Sequence, residues 1–378
     1  MREFQLMFGP IQIHRFALKD VRIPFKTAFR HAAAERAETS TLWIEAVSPR
    51  GAIGYGESCP RPYVTGETLD TAREFFWRHE EALREQVVDL DSLRAWMKAH
   101  ADKLDANPAA WCAIELAILD VFAREHGRTV EALLSLLPLR GPFRYSAVLG
   151  DASFDAFQAT AEQYRRVGFT DFKIKLSGQL EHDRRKLDLL RNWGAPAPRI
   201  RLDANNLWST AAEATAFLRQ LDCAFVAVEE PIQKGQYAEL ARIAEALACK
   251  VILDESFIRS AQLPLLPDPA GQWLINVRVS KMGGLLRSLE VIREARIRDI
   301  GVIVGAQVGE TSLLTRAALP VAQEAGDRLV AQEGAFGTFL LERDVCNPPL
   351  MFGAEGQLDI SAYPWLTSPG FGLRCDVA

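Results

Sequence analysis

The chain has 378 residues and a mass of 42.1 kDa, too long for one small core, so roughly two domains are expected, one of them large. A hydrophobic content of 48%, a charged content of 25%, a formal net charge of -5 and a sequence pI near 5.8 leave no basic excess for nucleic acid. No apolar run approaches the roughly 18 residues that cross a bilayer. Six cysteines without a CxxC pair, behind a Met1-Arg2-Glu3-Phe4 start that lacks signal-peptide features, are expected to be reduced and the protein cytoplasmic.

In chain order, residues 11–64 alternate apolar and polar positions, with residues 41–47 and then 51–57 reading as a strand, a turn and a strand in an antiparallel sheet. Residues 68–127 change to a helical period and end in the apolar stripe of residues 109–123. Sheet followed by helices predicts an α+β capping domain. From Tyr145 onward the chain becomes a βα series with predicted strands at residues 145–149, 172–176, 200–205, 226–231, 251–256, 277–281, 301–305 and 328–333. Eight strands are the count of a closed (β/α)8 barrel. The last helix is expected to be short or absent, because residues 340–344 soon meet Asn347-Pro348-Pro349. The expected organisation is a cap at residues 1–140, a modified TIM barrel at 141–349, and a segment at 350–378 that returns to the cap.

Five charged residues recur at or near the ends of these runs: Lys175, Asp203, Glu229, Asp254 and Lys281, separated by about 28, 26, 25 and 27 residues. That spacing matches a strand plus a returning helix. The C-terminal ends of barrel strands are where barrel enzymes build their active sites. Three neighbouring carboxylates form an oxygen-rich site suited to a hard divalent cation, Mg2+ first and Mn2+ as its substitute, and without His or Cys there Zn2+ is disfavoured. Lys173 and Lys175 are two apart and point the same way on a strand. Two lysines facing each other across a bound carboxylate can take a proton from one face of a carbon and return it to the other, which is the chemistry of a racemase.

The motifs Lys173-Ile174-Lys175, Asp203-Ala204-Asn205, Glu229-Glu230-Pro231, Asp254-Glu255-Ser256 and Lys281-Met282-Gly283-Gly284 occur in order at barrel spacing. With the cap phrases Pro24-Phe25-Lys26-Thr27-Ala28 and Gly54-Tyr55-Gly56-Glu57, the chain resembles the enolase superfamily, in its muconate-lactonizing subgroup, and its cap is most similar to dipeptide epimerases. The resemblance implies that Asp203, Glu229 and Asp254 hold Mg2+ and that Lys175 and Lys281 are the acid/base pair. Lys173 would tune Lys175 and bind the substrate carboxylate, and Glu230 and Glu255, on the opposite strand faces, would be supporting residues. The last histidine is His182, so no late-strand histidine competes with Lys281 for the second base. Candidate substrate-binding or supporting residues are Asn205, Gln307, Glu310, Glu333 and, in the loop over the barrel mouth, Arg30 and His31.

The shared step implied is removal of the proton α to a carboxylate, through an enolate intermediate. Racemisation or epimerisation of a dipeptide or N-acyl amino acid is the preferred outcome. A cycloisomerase or an o-succinylbenzoate-synthase-like lyase is the alternative, because dipeptide epimerases carry an Asp-x-Asp pair where this chain reads Ala331-Gln332-Glu333. A non-catalytic metal-binding relative is a third reading. The expected partners are a small-molecule carboxylate and further copies of the chain in a homo-oligomer, with no nucleic acid and no membrane.

Overall fold

The computed structural model describes residues 9–31 and 34–377, and omits the side chains of residues 27–35. The cap opens with β1 (Arg15–Val21), β2 (Pro24–His31), β3 (Ala34–Glu38), β4 (Thr41–Val47) and β5 (Ile53–Ser58). β1, β4 and β5 form an antiparallel sheet with β4 central, while β2 and β3 pair separately. Five helices follow: α1 (Leu69–Gln86), α2 (Leu90–Ala99), α3 (Ala101–Ala106), α4 (Pro108–Glu125) and α5 (Val130–Leu133). Thr68 and Asp89 cap α1 and α2 by accepting from the third backbone N–H of each helix, as helix starts require. The apolar stripe is α4, buried from Pro108 through Ala123, so it runs through the core rather than along a surface. It lies against β5 at Gly56, where a Cβ would overlap the Ala113 carbonyl.

A short β6 (Phe143–Arg144) leads into the barrel, whose strands are β7 (Ala147–Leu149), β8 (Asp171–Lys175), β9 (Arg199–Asp203), β10 (Ala227–Glu229), β11 (Lys250–Leu253), β12 (Trp273–Val277), β13 (Gly301–Val304) and β14 (Leu329–Gln332). They pair in parallel in sequence order from β7 to β14, as the βα period predicts. No ladder joins β14 to β7. The Ser146 N–H donates to the Gln332 carbonyl at 2.8 Å across that seam, so the expected closed barrel is incompletely closed.

Helices α6 (Phe154–Val167), α7 (Leu180–Arg191), α8 (Ala211–Gln220) and α9 (Tyr237–Leu247) follow the first four barrel strands. After β11 the expected returning helix is replaced by 3-10 turns, since Pro264, Pro267 and Pro269 break the stretch. After β12 come α10 (Val279–Met282) and α11 (Leu285–Ile297), and after β13 comes α12 (Ser312–Ala325). β14 is followed only by the 3-10 turn Gly337–Phe339, the short eighth element expected. The sixth strand corrects the sequence reading: it is Trp273–Val277 and not residues 277–281, so Lys281 sits on α10, just past the strand.

Inside the barrel, Ala227, Ile252, Leu274, Ile303 and Ala331 pack as a separate apolar cluster. Glu229 and Asn276 lie two residues further along the same strands, on the same face, and Asp254 and Glu333 directly follow the ends of theirs, so a charged layer rests on an apolar floor. The C-terminal segment forms β15 (Gln357–Leu358) against β6 and touches the cap, where the Phe371 N–H donates to Asp120 on α4 at 2.7 Å. Among the described residues no helix is long and apolar enough to cross a membrane.

Candidate active site

The charged layer faces a cavity of about 800 Å³ lined by Lys173, Lys175, Asp203, Asn205, Glu229, Asp254, Glu255, Arg278, Gln307 and Glu333. Eight of the expected site residues therefore share one wall. Lys281 is fully buried and does not line the cavity; its Nζ donates to the Asp254 carbonyl at 2.7 Å and to Asp254 Oδ1 at 2.9 Å. Glu310 is partly buried and folds back to accept from the Gln307 N–H at 2.6 Å, outside the lining. The side chains of Arg30 and His31 lie outside the described residues. Glu255 corrects the alternation argument: β11 ends at Leu253, so Asp254 and Glu255 no longer alternate across a strand, and both reach the cavity.

Each carboxylate of the trio meets a cation. Lys173 Nζ donates to Glu229 Oε1 and Oε2 at 3.0 and 2.9 Å and to Glu333 Oε2 at 3.1 Å. Lys175 Nζ donates to Asp203 Oδ2 at 2.8 Å and to Asn205 Oδ1 at 3.3 Å. Asp254 accepts from both Arg278 and Lys281. Burial alone would drive the Lys173 ammonium toward neutrality, but Glu229, Glu333 and Asp203 outweigh it and raise its pKa. Burial likewise opposes the charge on Asp203, yet Lys175 and Lys173 hold it down at about 2. Glu229 is pushed the other way, by burial and then by Asp203, Glu333 and Asp254, against the pull of Lys173. Lys281 is lowered by burial, which Asp254 only partly offsets.

Two left-handed residues shape this rim. Asn205 has φ 46° and its N–H donates to Asp203 Oδ1 at 3.2 Å, a conformation its short polar side chain favours. Glu230 has φ 38°, which a bulky residue resists unless its surroundings hold it there. They do: its carboxylate accepts from the Asp254 and Ser256 N–H groups and the Ser256 hydroxyl, each at 2.7 Å, and so locks the chain carrying Asp254.

The sequence reading missed Arg201, Arg278, Asn276 and Lys186. Arg201 is fully buried, donating to Glu333 Oε1 at 2.6 Å and Asp171 Oδ1 at 3.0 Å. A charge at the alternate position of an apolar strand, two before Asp203, was its available signal. Arg278 directly follows β12 and donates to Asp254 and to Gln307 Oε1, the latter at 2.9 Å. Asn276 Nδ2 contacts Glu229 at 3.4 Å, while its buried Oδ1 has no partner among the described residues. Nothing in the sequence marks Lys186, a mid-helix lysine.

Among the described residues no three His, Cys, Asp or Glu side chains converge as a formed metal cluster. The donor set nevertheless fits a hard cation, because Asp203, Glu229 and Asp254 bring oxygen donors alone from three consecutive strand ends to one cavity. Asp203 and Asp254 each raise the pKa of Glu229, a mutual repulsion that a cation between them would relieve.

A barrel of this topology, with carboxylates and lysines gathered at and just past its strand ends under an α+β cap, is the architecture of an acid/base enzyme. The family model "Enolase C-terminal domain-like" matches residues 156–378, and the chain belongs to the enolase superfamily, in its mandelate-racemase/muconate-lactonizing group. A hydrophobic dipeptide epimerase of Citrifermentans bemidjiense is 29% identical over 377 residues, covering 96% of this chain and 98% of its own. The substrate-liganded L-Ala-D/L-Glu epimerase of Bacillus subtilis has a similar structure, with a TM-score of 0.82 at 23% identity over 96% of this chain and 98% of that one. So does a dipeptide epimerase of Enterococcus faecalis complexed with Mg and L-Leu-L-Tyr, with a TM-score of 0.80 at 22% identity over 97% of this chain and 99% of that one.

Proposed function

We propose that this chain is a racemase or epimerase that removes the proton α to the carboxylate of an amino-acid-derived substrate, a dipeptide or an N-acyl amino acid, by a two-lysine mechanism. The observation that carries the reading is the disposition of the lysines. β8 and β12 are four apart in a ring of eight strands, so Lys175 and Lys281 flank the carboxylate trio from opposite sides. Asp203, Glu229 and Asp254 would hold Mg2+, as the related Enterococcus faecalis epimerase does, or Mn2+ in its stead. When bound, the ion supplies positive charge against the substrate carboxylate and so acidifies the adjacent carbon.

The chain's own groups do the rest. Lys175 Nζ takes the α-proton on one face, and the Lys281 ammonium, turning from Asp254 toward the cavity, delivers a proton to the other; in the reverse direction the two exchange roles and Lys281 is the base. A lysine lowered by burial suits a base, so Lys281 fits that part, whereas Lys173, held charged by its carboxylates, suits the negative charge that develops as the proton leaves. Phe157, Tyr164, Phe336 and Phe339 line the far side of the cavity and favour an apolar side chain or acyl group on the substrate.

The test is α-proton exchange in D2O with Mg2+, read by mass spectrometry over pooled dipeptides and N-acyl amino acids. Deuterium is expected in the α position from either epimer, without any other change of mass. Lys175→Ala and Lys281→Ala should each abolish epimerisation, by roughly 100-fold to 10,000-fold for loss of one acid/base group. Product formed by water loss or ring opening would move the chain to the lyase or cycloisomerase branch instead.

A further inference from the structure

We propose that Lys186 is a positioning residue for Lys175, one that governs proton transfer on that lysine's face of the substrate and not on the other. The inference rests on the two-lysine reading above. Lys186 lies on α7, the helix that follows β8, and its side chain is fully buried. A lysine is rarely taken out of water without a dedicated set of partners. Here its ammonium donates to the Lys175 carbonyl at 2.7 Å and to Asp151 Oδ1 at 3.2 Å, and forms an ion pair with Asp183 Oδ1 at 2.8 Å.

Each partner ties down a different part of the same corner. Asp183, one turn earlier on α7, accepts from the Ser177 N–H, the Gly178 N–H and the Ser177 hydroxyl, each at 3.0 Å. Lys186 and Asp183 together therefore hold the chain on both sides of Leu176, immediately after the base. Asp151 follows β7 and lines the cavity, so the same ammonium joins the first and second strand-to-helix corners at the level where Lys175 enters the site. Lys281 has no part in this network; its Nζ is held by Asp254 on the other side of the ring. Misplacing a reacting group by about 1 Å costs on the order of 100-fold in rate. Loss of this anchor should therefore act on one lysine alone.

The experiment compares α-deuterium exchange from each epimer of a probe pair, beginning with L-Leu-L-Tyr and L-Leu-D-Tyr and using whichever pair of dipeptides or N-acyl amino acids the wild type exchanges. The variants are Lys186→Met and the double variant Lys186→Met with Asp183→Asn. The double variant removes both charges together, so the buried Asp183 carboxylate is not left unpaired, and the side-chain amide that replaces it keeps one oxygen as an acceptor at the Ser177 and Gly178 N–H groups. Lys175→Ala identifies which epimer depends on Lys175. In both Lys186 variants exchange from that epimer should fall roughly 10-fold to 100-fold, while exchange from the other stays within about threefold of wild type. Equal loss from both epimers in the double variant, or no loss from either, would overturn the role of Lys186 and leave the two-lysine reading standing. Silence of the folded wild type across all probes would overturn that reading, and this role with it.

Discussion

Asp254 shows how tightly charge is balanced around single residues. One carboxylate faces the Arg278 guanidinium, which lines the cavity, and the Lys281 ammonium, which is fully buried. Asp254→Asn should therefore have two separable effects. Mg2+ affinity, measured by calorimetric titration, should drop at least roughly tenfold, because a hard cation loses an anionic oxygen donor. Stability in EDTA, measured by urea unfolding, should also drop, by about 3 kcal/mol, because the buried Lys281 ammonium loses its counter-charge. Unchanged Mg2+ affinity would remove Asp254 from the metal site. Glu333 belongs to the same balance: it bridges Lys173 and Arg201, and both cations outweigh burial to keep its pKa low. A carboxylate so engaged is an anchor for Lys173 more than a free contact for substrate.

Among the elements, β5 and α4 make the closest approach. Gly54 and Gly56 stand two apart on one face of β5, and each would drive a Cβ into the α4 backbone. The alternation Gly54-Tyr55-Gly56 therefore fixes the distance between sheet and helix, and α4 in turn carries Glu115 to the start of α11. Gly56→Ala should destabilise the fold by about 3 kcal/mol or more, read from urea unfolding midpoints, since neither backbone can yield without shifting the cap core. A loss within about 0.5 kcal/mol would mean that the helix slides freely on the sheet. Gly284, at φ 97°, is the matching device on the barrel side, where any side chain would meet the Glu115 carboxylate.

At the scale of the whole molecule, buried carboxylates of the cap dock onto helix starts of the barrel. Glu57 on β5 accepts from the Thr311 N–H, the Thr311 hydroxyl and the Leu314 N–H at the start of α12, and Glu115 accepts from the Leu286 N–H at the start of α11. Burial pushes each to about 7 from an ordinary 4.5, against those hydrogen bonds. The folded state thus holds protons that the unfolded chain releases between pH 4.5 and 7, so this contribution to stability is full below about 4.5 and lost as the pH rises through 7. Glu115→Gln keeps an acceptor for Leu286 and removes the titration. The stability of this variant relative to wild type should rise between pH 5 and pH 8 by about 3 kcal/mol, and a pH-independent difference would refute the assignment. Much of this molecule is legible in the chain itself. The βα period, the α+β cap, the order of the five charged residues and the grouping of four of them at or just past strand ends follow from short-range pattern, because alternation, helical period and turn chemistry act over a few residues. What only tertiary structure decided is which charges meet: Arg278 on Asp254, Arg201 on Glu333, Lys186 on the Lys175 carbonyl, and Lys281 buried behind Asp254 on a turn of helix that looked like strand. Such pairings join residues brought together by the closing of the ring, and their energies depend on burial, which no local pattern carries.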